Sequence, residues 1–151
     1  MTKCDPTDST NGLRLLNFSE PKDLNLLHRL LETRESVSNI VGIVNEKALF
    51  CVNEGTRPLH YAEDLDLIIC MEIENTQLRL FDLVGQSIPS FKVILEIIPQ
   101  KIAEVVTYFS PDRLNADLQA FPHIFDGTWL MVRGAFAAEG KQFMLPRSAR
   151  C

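Results

Sequence analysis

Carboxylates are the residues most able to do chemistry in this chain. Glu63, Asp64 and Asp66 crowd one corner ahead of an apolar run. Such a group can do acid–base work, can hold a hard cation, or is simply solvated. Solvation is the commonest case, because unpaired carboxylates are rarely buried. Asp82 is different, since it falls on a strand face whose other members, Leu78, Leu80 and Val84, are apolar. Downstream, Gly85-Gln86-Ser87-Ile88-Pro89-Ser90 breaks the apolar pattern and offers Gln86, Ser87 and Ser90 as donors to an anion. Tyr108 closes a later run rich in β-branched and aromatic residues, which reads as a half-buried strand aromatic. The four cysteines, at 4, 51, 70 and 151, form no Cys-x-x-Cys pair, and the histidines do not cluster. That pattern argues against both a metal centre and a disulfide framework. It predicts reduced thiols in a cytoplasmic protein, with Cys51 and Cys70 in the core. His28 has no His or Cys three or four residues away, so it reads as an edge histidine and not as a ligand.

The elements that must position these groups centre on 66–111. Leu67–Glu74 is apolar on both faces at first and alternating later, as for a strand entering a sheet covered on both sides. Asn75-Thr76 supplies a two-residue hairpin loop into a second strand, Gln77–Val84. Either Ser87 or Ser90 can cap a following helix, with Pro89 near its first turn. Phe91, Ile94, Leu95 and Ile98 give that helix one apolar face, and Pro99 stops it. Ala103–Phe109 is the next strand. Strand, helix and strand in succession predict a β-α-β unit with parallel strands.

Upstream, the first dozen residues are polar and predict a disordered tail, leaving 13–151 as a single domain. Leu13–Phe18 predicts a short strand. Ser19 caps a helix with Pro21 and Asp23 in its first turn, and Leu24, Leu27, Leu30 and Leu31 form its stripe as far as about Arg34. Ser36–Val44 reads equally as a short helix or a loop. Glu46–Val52 is taken as a strand because it leads into turn-rich residues, and Leu59–Ala62 as another. Downstream, Ser110 caps a turn and helix start, Trp129 anchors the core within a strand at Thr128–Val132, and Lys141–Leu145 pairs with that strand as a hairpin. A net charge of −5 argues against a nucleic-acid partner. No apolar run is long enough to span a bilayer, and the N-terminus has no signal-peptide pattern. The fold class expected is α/β (α+β), a mixed, twisted sheet flanked by helices.

This succession of elements resembles the GCN5-related N-acetyltransferase (GNAT) superfamily. More narrowly, YAEDLDLIICMEIENTQLRLFDLV, VVTYFSPDRL, TWLMVRG and FMLP resemble a partner half-domain of bacterial acetyltransferase-like proteins, over roughly residues 13 to 148. The resemblance implies acetyl-CoA, held where the fourth strand runs into a Gln/Arg-x-x-Gly-x-Gly/Ala loop whose amides cradle pyrophosphate at a helix N-terminus. Here that position reads Val84-Gly85-Gln86-Ser87-Ile88-Pro89-Ser90. It has one glycine, a proline that removes a donor, and no cation. For an acyltransferase, the resemblance would make Asp82 the base for an unknown amine and Tyr108 the acid for the leaving thiolate. The alternative is a non-catalytic GNAT-like binding or oligomerisation module with a degenerate cofactor loop. A homodimer is expected because the edge strand Lys141–Leu145 would need cover.

Overall fold

In the computed structural model, residues 12–43, 45–123 and 131–150 are described. Five strands form one open sheet in sequential order: β1 (Leu13–Leu15), β2 (Leu59–Ala62), β3 (Leu67–Glu74), β4 (Gln77–Val84) and β5 (Glu104–Thr107). The first four are antiparallel to their neighbours, and β5 runs parallel to β4. The helices are α1 (Pro21–Thr33), α2 (Lys47–Glu54) and α3 (Phe91–Ile97). The chain is thus a mixed α+β domain, as its patterning predicts, and α3 makes the parallel crossover from β4 to β5.

Two apolar layers sandwich the sheet. On one face Leu27, Leu30 and Leu31 of α1 and Phe50 of α2 pack on Leu59, Tyr61, Ile68, Cys70 and Phe81. On the other, Ile94 and Ile98 pack with Leu67, Ile69, Met71, Leu78, Leu80 and Leu83, joined by Phe109 and Leu114 from beyond β5. The β3–β4 hairpin has the predicted bounds, and Asn75 takes a positive φ of 57° at its turn, a conformation that asparagine tolerates better than most residues.

One irregularity in the sheet decides where Asp82 points. Cys70 pairs with Asp82 and Met71 with Leu80, so Phe81 is an extra residue, a β-bulge. Regular alternation would align Asp82 with Leu78, Leu80 and Val84. The bulge instead places Phe81 and Asp82 together on the α1/α2 face, opposite Cys70, and turns Leu83 to the α3 face.

Several expectations are corrected. Glu46–Val52 is not a strand, because Lys47–Glu54 is helical. Its buried residues, Phe50 and Glu54, stand four apart on one stripe while Cys51 and Val52 face solvent. The period that decides is 3.6, and it is obscured by apolar residues on the exposed side. Cys51 is consequently exposed, whereas Cys70 is fully buried. Glu20, not Ser19, occupies the N-cap of α1, because Asn17 Oδ1 draws the Ser19 amide into a local turn (3.0 Å). Ser36–Ile43 is irregular, and residues 111–114 form a turn without a helix. Lys141–Leu145 carries no strand. Among the described residues it is linked to Ser110, whose amide donates to the Met144 carbonyl (3.0 Å) and whose hydroxyl accepts from the Met144 amide (2.8 Å), and the described edges of the sheet are β1 and β5. The tail expected at the N-terminus lies almost wholly outside the described residues. Trp129 and most of its expected strand lie outside them too, while Met131 and Val132 are irregular and exposed.

Candidate functional site

Beyond the bulge, β4 keeps β3 on one side and loses β5 on the other. β5 pairs with Gln77–Leu80, and the Tyr108 amide still donates to the Leu80 carbonyl (2.8 Å). The chain then turns away, leaving the outer side of 81–85 to other partners. Buried backbone groups must be satisfied somewhere. Here the Leu83 amide donates to Asp82 Oδ1 (2.8 Å), Arg34 Nη2 donates to the Leu83 carbonyl (3.0 Å), and the Glu35 amide donates to the Gly85 carbonyl (2.9 Å). Arg34 and Glu35, just past the end of α1, therefore stand where a neighbouring strand would be.

Arg34 also holds Asp82 in a two-pronged pair, Nη1 to Oδ2 at 3.0 Å and Nη2 to Oδ1 at 2.8 Å. Neither side chain reaches solvent to any useful extent, at 5% and 0% exposed. The Ser148 hydroxyl donates to Asp82 Oδ2. Burial opposes the Arg34 charge, yet the Asp82 carboxylate outweighs it and the guanidinium titrates above its ordinary value. Beside this pair, burial pushes the Cys70 thiol well up, and the carboxylates of Asp82 and Glu54 add to the effect. Cys70 is a packing residue with no thiolate to offer.

The C-terminal residues complete the closure. Arg147 donates from Nε and Nη2 to the two oxygens of Glu54 (2.8 Å each), and its guanidinium lies 3.5 Å from the centre of the Phe81 ring. Tyr108 stacks on Phe81 with ring centres 4.9 Å apart, and its carbonyl accepts from Arg150 Nη2 (2.8 Å). Tyr108 also lines a groove of about 960 Å³ between β5 and the segments holding Phe121, His123 and Phe143.

The loop after β4 lies elsewhere. Val84 and Gly85 are buried, Gln86 and Ser87 are exposed, and Ser90 is the N-cap of α3 without a side-chain cap bond. The first amide of α3, on Phe91, donates to the Leu114 carbonyl (2.8 Å). Gly85 is packed so closely that a Cβ would stand 2.9 Å from Leu67 Cδ1 and 3.1 Å from the Asp66 carbonyl. Of the sequence candidates, the structure brings Asp82, Val84 and Tyr108 to one side of the sheet beside the bulge, while Gln86 and Ser87 face solvent and Ser90 caps α3.

At the acidic corner, Asp66 takes both prongs of Arg29 (2.7 and 2.8 Å) and the Tyr61 hydroxyl (2.8 Å). Arg29 holds the Asp66 carboxyl below its usual range, while burial and the Asp66 bond push the Tyr61 hydroxyl up to about 12. Among the described residues no group of three His, Cys, Asp or Glu side chains is placed to hold a metal ion, and no helix is long and apolar enough to cross a membrane.

Four residues of the central network escape a reading of the sequence: Arg34, Glu54, Arg147 and Ser148. Two carried a signal. Arg34 continues the α1 stripe of Leu27, Leu30 and Leu31, and Glu54 continues the stripe of Phe50. A lone aspartate on an apolar strand demands a cation from such positions. No protein family, no curated protein and no solved structure matches this chain.

Proposed function

We propose that this chain is a GNAT-like binding or oligomerisation module with a degenerate cofactor loop, and not an acyl-transfer enzyme. The observation that carries the reading is the closure of the outer side of β4 by the chain's own groups. A base for an amine substrate has to meet that amine. Both oxygens of Asp82 are instead committed to Arg34, Ser148 and the Leu83 amide at zero exposure. The loop supports the same reading, since Pro89 has no amide and that of Phe91 is taken by Leu114. The exposed Cys51 and buried Cys70, both free thiols, suit a reducing, cytoplasmic setting.

One observation favours the second reading, transfer of an acetyl group from acetyl-CoA to an amine. Tyr108 lines the groove beside the point where the chain leaves β4. Calorimetric titration with acetyl-CoA and with CoA separates the two. No heat and no thermal stabilisation at millimolar ligand is the expected result. A micromolar dissociation constant, about −8 kcal/mol, overturns it and makes an amine screen with Asp82→Asn and Tyr108→Phe the next step.

A further inference from the structure

The residues around Arg147 are arranged as a receptor for an arginine side chain. Glu54 is fully buried and meets the guanidinium with both oxygens, Glu72 Oε1 accepts a third bond from Nη1 (3.4 Å), and the Phe81 ring lies against the guanidinium plane. Two-pronged carboxylate pairing and an aromatic face are what distinguish arginine from lysine recognition. Next to it Asn53 Nδ2 reads the backbone, donating to the carbonyls of Ser148 (3.1 Å) and Arg150 (2.7 Å), and Asp82 accepts from the Ser148 hydroxyl. Every group on the receptor side comes from α2, β3 or β4.

The segment in that receptor is bound as a peptide would be. It joins no strand ladder. Among the described residues, side-chain anchors, the burial of Ser148 and Ala149, and the exchange between Met144 and Ser110 hold it. The connection leading to it is exposed through 131–135 and carries Gly134 (φ 92°) and Gly140 (φ 75°), neither with any atom near where a Cβ would be. Glycine has more backbone conformations open to it than any other residue, so these are the positions at which the connection can re-aim, at the cost of the turn bond from the Lys141 amide to the Ala138 carbonyl.

We propose that Glu54, Glu72 and Phe81 form an arginine-recognition site that the chain's own C-terminal segment fills, and that the same segment of a second copy fills it when two chains meet. Exchange of an identical element keeps the receptor's contacts with residues 147–150 and adds a closed two-fold pairing at low cost. The inference rests on the oligomerisation half of the reading above, and it names the partner and the contact.

The test mixes two charge-reversed full-length variants, Glu54→Arg and Arg147→Glu. Alone, each sets like charges against each other and melts early as a monomer. Mixed in equal amounts, they are expected to regain wild-type melting and to run as a dimer by light scattering, since every site then meets a segment of opposite charge. A mixture that melts as the sum of its parts overturns exchange. If the intact chain still dimerises in that event, the oligomerisation reading survives and exchange alone fails. A chain that stays monomeric at high micromolar concentration overturns both. In case the reversed variants do not fold, the Arg147→Ala chain, whose site has lost its guanidinium, is titrated with a labelled peptide of residues 142–150. Saturable binding is expected, weakened at least about tenfold when the peptide carries Arg147→Lys. No binding at millimolar peptide, or equal binding of the two peptides, overturns the arginine site.

Discussion

The two halves of β4 solve one problem in opposite ways. From Gln77 to Leu80 the outer side meets β5, and a ladder of backbone bonds satisfies it. From Phe81 to Gly85 it meets a guanidinium, a carboxylate and a loop amide instead. The first half is sustained by apolar packing on a regular frame. The second depends on charge held out of water, where removing one partner costs more than the pair contributes. A ladder is tolerant of which side chains form it, and a buried ion pair is not.

The comparison can be broken most directly at Asp82. Asp82→Ala leaves the Arg34 charge buried without its partner, and a loss of about 3–5 kcal/mol in urea unfolding is expected. A loss below about 1 kcal/mol would mean that water reaches the site and that the two halves do not differ in kind. The double variant Arg34→Met, Asp82→Leu sharpens the contrast. Removing both charges should recover much of the loss, but the Leu83 amide and carbonyl lose their partners, at about 1–3 kcal/mol for each group left unpaired. Full recovery would show that those backbone groups had found water.

His60, on β2, gives a test by pH. Burial holds its imidazole below the ordinary value, and Nδ1 is buried without a hydrogen-bond partner. A base with a depressed folded pKa contributes stability above its unfolded value, near 6.5, and loses it as pH falls, because the unfolded chain binds the proton first. Melting temperature should therefore drop on acidification below about pH 6.5, and His60→Gln should flatten that slope. Asp23 and Asp66, held low by Arg14 and Arg29, add their own losses only at more acid pH, below the unfolded carboxylate range. The smallest effect belongs to the surface. Arg29 and Asp66 are each nearly half exposed, so Arg29→Ala should cost no more than about 1 kcal/mol and less in high salt.

Much of the frame was legible in the residues. The alternation in Leu67–Glu74, the turn at Asn75-Thr76 and the 3-4 spacing from Phe91 to Ile98 each follow a period set by backbone geometry. What failed was decided by long-range contacts. Lys47–Glu54 has apolar residues all round and reveals its period only when α2 packs on the sheet. The bulge leaves no mark in the local pattern, because an extra residue inside an apolar run looks like any other. The network around Asp82 joins residues 34, 54, 82, 147 and 148, and no local window holds them together.

Phe81 stands outside the pairing on either side of it. The ladder before it and the ladder after it run in phase with β3 as though the residue were not there. A deletion at that point would return β4 to regular pleating while leaving Asp82 facing Cys70 and Leu83 facing Ile69. The residue is therefore one that the pairing with β3 accommodates without a change of phase on either side. What it added is a flat aromatic plate on which Tyr108 stacks and Arg147 rests. At such a position the side chain can be changed without rebuilding the scaffold, so the plate and the sheet that carries it can be altered separately.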